Sequence, residues 1–174
     1  VSFDGAHLTG HNTDVEGFMA PLLERESNLK GSRAAIIGAG GAARAAALAL
    51  SNCGCDVTIF ARDTSRASEV GQRTLELAKA DASGFDILVN ATPLGTKGDL
   101  EGSSPLKAEQ MRGVSIAYDL VYNPAETAFL TEARSAGAHT IGGLEMLVRQ
   151  AALQQKIWTG VRSEEHTSEL QSRF

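Results

Sequence analysis

Short apolar runs bounded by turn residues alternate along the chain with longer stretches of helical period. Arg33 to Ile37, Asp56 to Phe60, Asp86 to Ala91, Gly113 to Tyr118 and Ala138 to Ile141 read as buried strands. Val15 to Glu26 reads as a helix with Val15, Phe18, Met19, Leu22 and Leu23 on one face, and Pro21 within it predicts a kink or a restart. Arg44 to Leu50 is an alanine-rich helix, Glu126 to Ala136 another, and Leu144 to Trp158 a third, with Leu147, Ala151, Ile157 and Trp158 among its apolar positions. Thr64 or Ser65 suits the cap of a helix running to about Gln72. Thr74 to Leu77 fits either a short strand or more helix, and Val1 to Leu8 a strand and turn around Asp4-Gly5. Strands alternating with helices predict an α/β fold: a Rossmann-like, doubly wound, mostly parallel sheet with helices on both faces.

Composition narrows the class. The chain has 174 residues, 43% of them hydrophobic, which suits one domain with a substantial core. A net charge of −5 argues against a nucleic-acid partner, and no apolar run is long enough to span a bilayer. Cys53 and Cys55 do not form a disulfide framework and have no metal-ligating neighbours in sequence, so the expectation is reduced thiols in a cytoplasmic protein without a metal. The run from Arg162 onward lacks apolar periodicity and resembles the in-frame translation of a sequencing-adapter oligonucleotide. It is expected to be a non-native, disordered tail, leaving one domain over residues 1–161.

The candidate chemistry begins at Gly38-Ala39-Gly40-Gly41-Ala42-Ala43, between the first long strand and the alanine-rich helix. The spacing Gly38-x-Gly40-x-x-Ala43 fits the dinucleotide fingerprint. Glycines permit a tight turn and close approach of a ligand, and a helix N-terminus offers N–H groups and partial positive charge to a phosphate. In an NAD site an acid sits about 20 residues past the first glycine. Here Ile59-Phe60-Ala61-Arg62 occupies that region, so Arg62 and Arg66 are placed to meet a 2′-phosphate, which favours NADP. Asp63 keeps NAD open, because it is suited to a ribose hydroxyl. Asp14, read alone, is equally suited to capping the helix from Val15 and to chemistry.

Gly10-His11-Asn12-Thr13-Asp14 resembles the G-x-N-T-D segment of the shikimate dehydrogenase family. Gly38 to Ala42, Asn90-Ala91-Thr92-Pro93-Leu94-Gly95, Tyr118-Asp119-Leu120-Val121-Tyr122 and Gly142 to Ala151 are similar to its remaining landmarks, in the family's order. The resemblance covers nearly everything before residue 162. It implies NADPH-dependent reduction of 3-dehydroshikimate to shikimate in aromatic amino-acid biosynthesis, in the cytoplasm. It makes Asp14 half of a catalytic Lys–Asp pair that also touches substrate, and Tyr122 and Gln150 substrate contacts. Thr92, Leu120 and Gly143 match positions lining the nicotinamide end, beside the cofactor-binding Gly38, Ala39, Gly40, Gly41 and Ala42.

In this family an N-terminal substrate domain supplies the lysine. The chain begins just before the G-x-N-T-D segment, and none of its lysines falls in a matching motif. Taken alone it is therefore expected to bind NADP weakly and to catalyse little or nothing. Lys97 is nearest the site in sequence and is expected in solvent. The short segment around Thr74 departs from the family and raises the expectation of an incomplete third strand. Alternatives are an NAD-dependent quinate/shikimate dehydrogenase and a non-catalytic nucleotide-binding module. The oligomeric state stays open, a homodimer among the options, as does fusion to an upstream dehydroquinate dehydratase.

Overall fold

The computed structural model describes residues 2, 3, 5–65 and 73–159. The adapter-like run from Arg162 lies outside the described residues, as do Arg66 and most of the helix expected after Thr64. A small antiparallel hairpin of β1 (Ser2–Phe3) and β2 (Leu8–Thr9) leads into α1 (Asp14–Arg25). A main sheet of six strands follows, comprising β3 (Arg33–Ile37), β4 (Asp56–Ala61), β5 (Arg73–Glu76), β6 (Ile87–Asn90), β7 (Ile116–Asp119) and β8 (His139–Ile141). Its helices are α2 (Gly41–Asn52), α3 (Ala128–Ser135) and α4 (Gly143–Thr159). The order is β5-β4-β3-β6-β7-β8, and every pairing is parallel. The chain thus starts in the middle, winds to one edge, then returns to β6 and winds to the other. Neighbouring loops diverge where the direction reverses, between β3 and β6, and that opens a crevice at the carboxyl ends of the strands.

Period-two alternation along the buried strands splits the core in two. On β3, Ala34 and Ile36 face one layer and Ala35 and Ile37 the other. The first layer joins the sheet to α1, α2 and α4, while the second includes Phe60, Phe85, Met111 and Phe129 of α3. Phe18 of α1 stacks on Tyr118 of β7 with ring centroids 4.9 Å apart and planes 8° from parallel. Such a pair contributes roughly 0.5–1.5 kcal/mol beyond its buried area, and it fixes α1 over the sheet.

Three local expectations need correction. Leu23 is 44% exposed, because 100° per residue carries it to the edge of the stripe formed by Phe18, Met19 and Leu22. One helix runs through Pro21 without a restart. In α4 the buried positions are Gly143, Met146 and Val148, whereas Trp158 is exposed. Arg73–Glu76 resolves the ambiguous segment as a strand on β4, completing the sheet on that side.

Candidate functional site

The glycine turn continues the β3 strand. Gly38 N–H donates to Phe60 O at 2.8 Å and Ala91 N–H to Ile37 O at 2.9 Å, so the loops after β3, β4 and β6 begin side by side. Gly38 has φ +119°, and a Cβ there would stand 2.7 Å from Ala91 O. Only glycine lets the two loops approach so closely. Gly40 and Gly41 differ, because a Cβ on either would meet nothing within 4 Å. Gly40 caps α2 without a side-chain hydrogen bond, and no acidic residue lies in the first turn. The start of α2 therefore presents N–H groups and partial positive charge to open space.

That space is a cavity of about 760 Å³ walled by Gly38 to Gly41, by Arg62 and Asp63 after β4, and by Thr92 to Leu94 after β6. Arg44, on the first turns of α2, lines it too and was not anticipated. A second cavity of about 370 Å³ adjoins it through Ala91, Thr92 and Pro93. Its walls include Ala42, Leu120 and Tyr122. Lys97 lines this second space and is exposed, as expected. Tyr122 is 51% exposed and Leu120 half-buried. A Cβ on Gly143 would lie 2.6 Å from Val121 O and 2.7 Å from the Leu120 carbonyl, so α4 starts directly against this loop.

Asp14 does not cap α1. Thr13 is the N-cap residue, and the Asp14 carboxylate instead accepts a hydrogen bond from Gln150 Nε2 of α4. Gln154, one turn on, donates to Thr13 Oγ1 at 3.4 Å. At the other end of α1, Arg25 pairs with Glu145 at 2.8 Å and Arg149 with Glu24, so the helices run antiparallel in close contact. Gly17 permits that contact, since a Cβ there would sit 2.5 Å from Gln150 Cγ. Asp14 and Gln150 are thus brought together, but they lie outside the walls of both cavities. Gln150 is seven residues along α4 from Gly143, a rise of ~10 Å.

Beneath the cavity loops lies a polar network not anticipated from spacing. Asn90 and Asp119 end the apolar strands β6 and β7 with no exposed surface, and Thr127 is 2% exposed. Burial pushes the Asp119 carboxyl up to about 6, against hydrogen bonds from Thr127, Val121 and Asn90 that pull it down. A polar residue closing an otherwise apolar strand was the available signal.

The uncapped glycine turn at the point where the sheet reverses, with basic side chains across the crevice, defines a dinucleotide-binding doubly wound domain. Residues 27–131 match the family described as putative NAD(P)-binding, and residues 143–164 match the shikimate 5′-dehydrogenase C-terminal domain. The chain is 39% identical over 176 residues to a shikimate dehydrogenase (NADP(+)) of Pelodictyon phaeoclathratiforme, covering 91% of this chain and 61% of that protein. It thus spans about three-fifths of that relative's length. Among solved structures, shikimate 5-dehydrogenase of Thermus thermophilus in complex with NADP(H) and shikimate is 39% identical with a TM-score of 0.80, over 94% of this chain and 63% of that one. Quinate dehydrogenase of Corynebacterium glutamicum in complex with NAD is 29% identical with a TM-score of 0.85, over 97% and 64%. The chain belongs to the shikimate dehydrogenase family.

Proposed function

We propose that this chain binds NADP across the two cavities and serves the NADPH-dependent reduction of 3-dehydroshikimate to shikimate. The observation that carries this reading is the open space before the uncapped start of α2, faced by Arg62. The donor set fits a dinucleotide phosphate: backbone N–H groups of Gly41 and Ala42 suit the pyrophosphate, and the Arg62 guanidinium suits a 2′-phosphate. When bound, NADPH supplies the hydride. The residues Thr92, Leu120 and Gly143 shape the nicotinamide end, and Tyr122 offers a hydroxyl to a polyhydroxylated substrate. Asp14, oriented by Gln150, accepts from substrate hydroxyls and holds an ammonium partner charged and aimed, so that the alkoxide left by hydride transfer receives a proton. Within the described residues the carboxylate's side-chain partner is an amide, so that ammonium is assigned elsewhere in the working enzyme.

Titration of the chain with NADP+ and NAD+ tests the reading. NADP+ is expected to bind more tightly, and Arg62→Ala to weaken NADP+ at least about tenfold while changing NAD+ little, as loss of a charge-assisted contact predicts. Absence of binding overturns the reading. The second reading, an NAD enzyme acting on quinate, is favoured by Asp63 in the same cavity wall. It predicts the opposite preference, with Asp63→Ala weakening NAD+.

A further inference from the structure

The loops that wall the smaller cavity are joined from below by one carboxylate. One oxygen of Asp119 accepts from Asn90 Nδ2 and from Val121 N–H, both at 3.0 Å. The other accepts from Thr127 Oγ1 at 2.5 Å, and that hydroxyl oxygen in turn accepts Leu130 N–H at the start of α3. Asn90 carries the connection onward: its amide oxygen accepts both the backbone N–H of Thr92, at 3.1 Å, and its hydroxyl, at 2.7 Å. Thr92 and Val121, on different loops and both lining the cavity, are thus linked through two buried side chains. We propose that Asp119 is a positioning residue, holding the Thr92 loop and the Leu120–Tyr122 loop in the relative placement that receives the nicotinamide end of the dinucleotide. This rests on the nucleotide reading above.

The physical case is one of necessity. Burying a carboxylate is costly, a cost that an apolar side chain of similar branching such as leucine would avoid. A leucine would also leave the Asn90 amide, the Val121 N–H and the Thr127 hydroxyl without their acceptor in a site closed to water, each a substantial penalty. The network therefore permits one arrangement of the two loops and disfavours others. A backbone bond from Lys97 N–H to Asn123 O, 2.9 Å long, closes the same pair of loops at their outer ends. Thr92 and Leu94, whose carbonyl accepts a further bond from Asn90 Nδ2 at 3.3 Å, also line the cavity of the glycine turn, but Asp119 and the Val121 and Thr127 groups that bond it directly do not, so the carboxylate acts chiefly at the other end of the ligand.

The test uses two probes on the full chain: NADP+, and 2′,5′-ADP, which has the adenosine phosphates and no nicotinamide. The variants are Asp119→Asn and Thr127→Val, with Thr127→Ser as the conservative control and circular dichroism to verify folding. The unsubstituted chain is expected to bind NADP+ more tightly than 2′,5′-ADP. Asp119→Asn and Thr127→Val should each weaken NADP+ by roughly tenfold, within the range of a lost buried hydrogen bond, and leave 2′,5′-ADP within about twofold. Thr127→Ser should restore NADP+ binding. If Asp119→Asn does not fold, the Thr127 pair decides. Unchanged NADP+ affinity, equal loss for both probes, or equal affinity of the unsubstituted chain for both overturns the positioning role. Binding of neither probe by the unsubstituted chain overturns the nucleotide reading itself, and this role with it.

Discussion

Two glycines of the same turn should fail in opposite ways. An alanine at Gly38 must hold φ +119° and place its Cβ 2.7 Å from Ala91 O and 3.0 Å from Ala91 C, both backbone atoms. Backbone strain costs roughly 1–3 kcal/mol and the forced contact a similar amount, so Gly38→Ala should lose about 2–5 kcal/mol of stability. For a domain of this size the midpoint of thermal unfolding should drop by ~5–15 °C. Gly41 has no left-handed φ and no neighbour within 4 Å of an added Cβ. Gly41→Ala should leave stability unchanged or raise it by up to about 1 kcal/mol, since alanine is the better helix former. Its methyl group would nevertheless occupy the space assigned to phosphate, and NADP+ affinity should fall at least about tenfold, the equivalent of ~1.4 kcal/mol. Urea unfolding followed by circular dichroism, paired with NADP+ titration, measures both quantities. A Gly41→Ala chain that binds NADP+ as the unsubstituted one does would refute the placement of phosphate on this turn. A Gly38→Ala chain of full stability would refute the close-approach argument.

Three other outcomes are expected. Burial raises the Asp119 carboxyl from 3.8 to about 6, so the folded state holds its proton more tightly than the unfolded chain. The stability from this group is complete below about pH 4 and is lost as pH rises through about 6, amounting to roughly 3 kcal/mol. The stability difference between the unsubstituted chain and Asp119→Asn should therefore shrink from pH 4 to pH 7, and a pH-independent difference would contradict it. Gly143→Ala should cost about 1–3 kcal/mol and weaken NADP+, because its Cβ would press on the carbonyl groups of Leu120 and Val121 at 2.6–2.7 Å; thermal unfolding and titration read this directly. Burial, followed by the neighbouring Cys53, pushes the Cys55 thiol up to about 11. At pH 8 its alkylation by iodoacetamide in the native chain should be ~100-fold slower than in urea, measured by peptide mass spectrometry.

Much of the architecture was legible in local pattern. The run Ala34–Ile37 is buried throughout and could only be an interior strand, and the glycines after it mark a turn into a helix whatever surrounds them. Arg62, Asp63 and Thr92 share one cavity wall because carboxyl-end loops of a parallel sheet lie on one side of the molecule. Local pattern failed at the margins of faces, as at Leu23, where burial depends on which neighbour packs there. It also failed for Asp14, whose position at a helix start suited a cap equally well. The pairing that gives it another task joins it to Gln150, 136 residues away.

Apart from the segment Arg73–Glu76, which only pairing with β4 made a strand, the sequence by itself determined the main strands and helices, their order, and the turn whose backbone is free to meet a phosphate. Those properties depend on periodicity, on chain geometry at glycine, and on the handedness of parallel crossovers. The tertiary structure decided which polar groups meet. Asn90, Asp119 and Thr127 are unremarkable singly, and they become one connected support only because β6 lies beside β7 and α3 begins beneath their ends. Hydrogen bonds between side chains reach ~3 Å, and no periodicity along a chain encodes which distant residues will come within that distance.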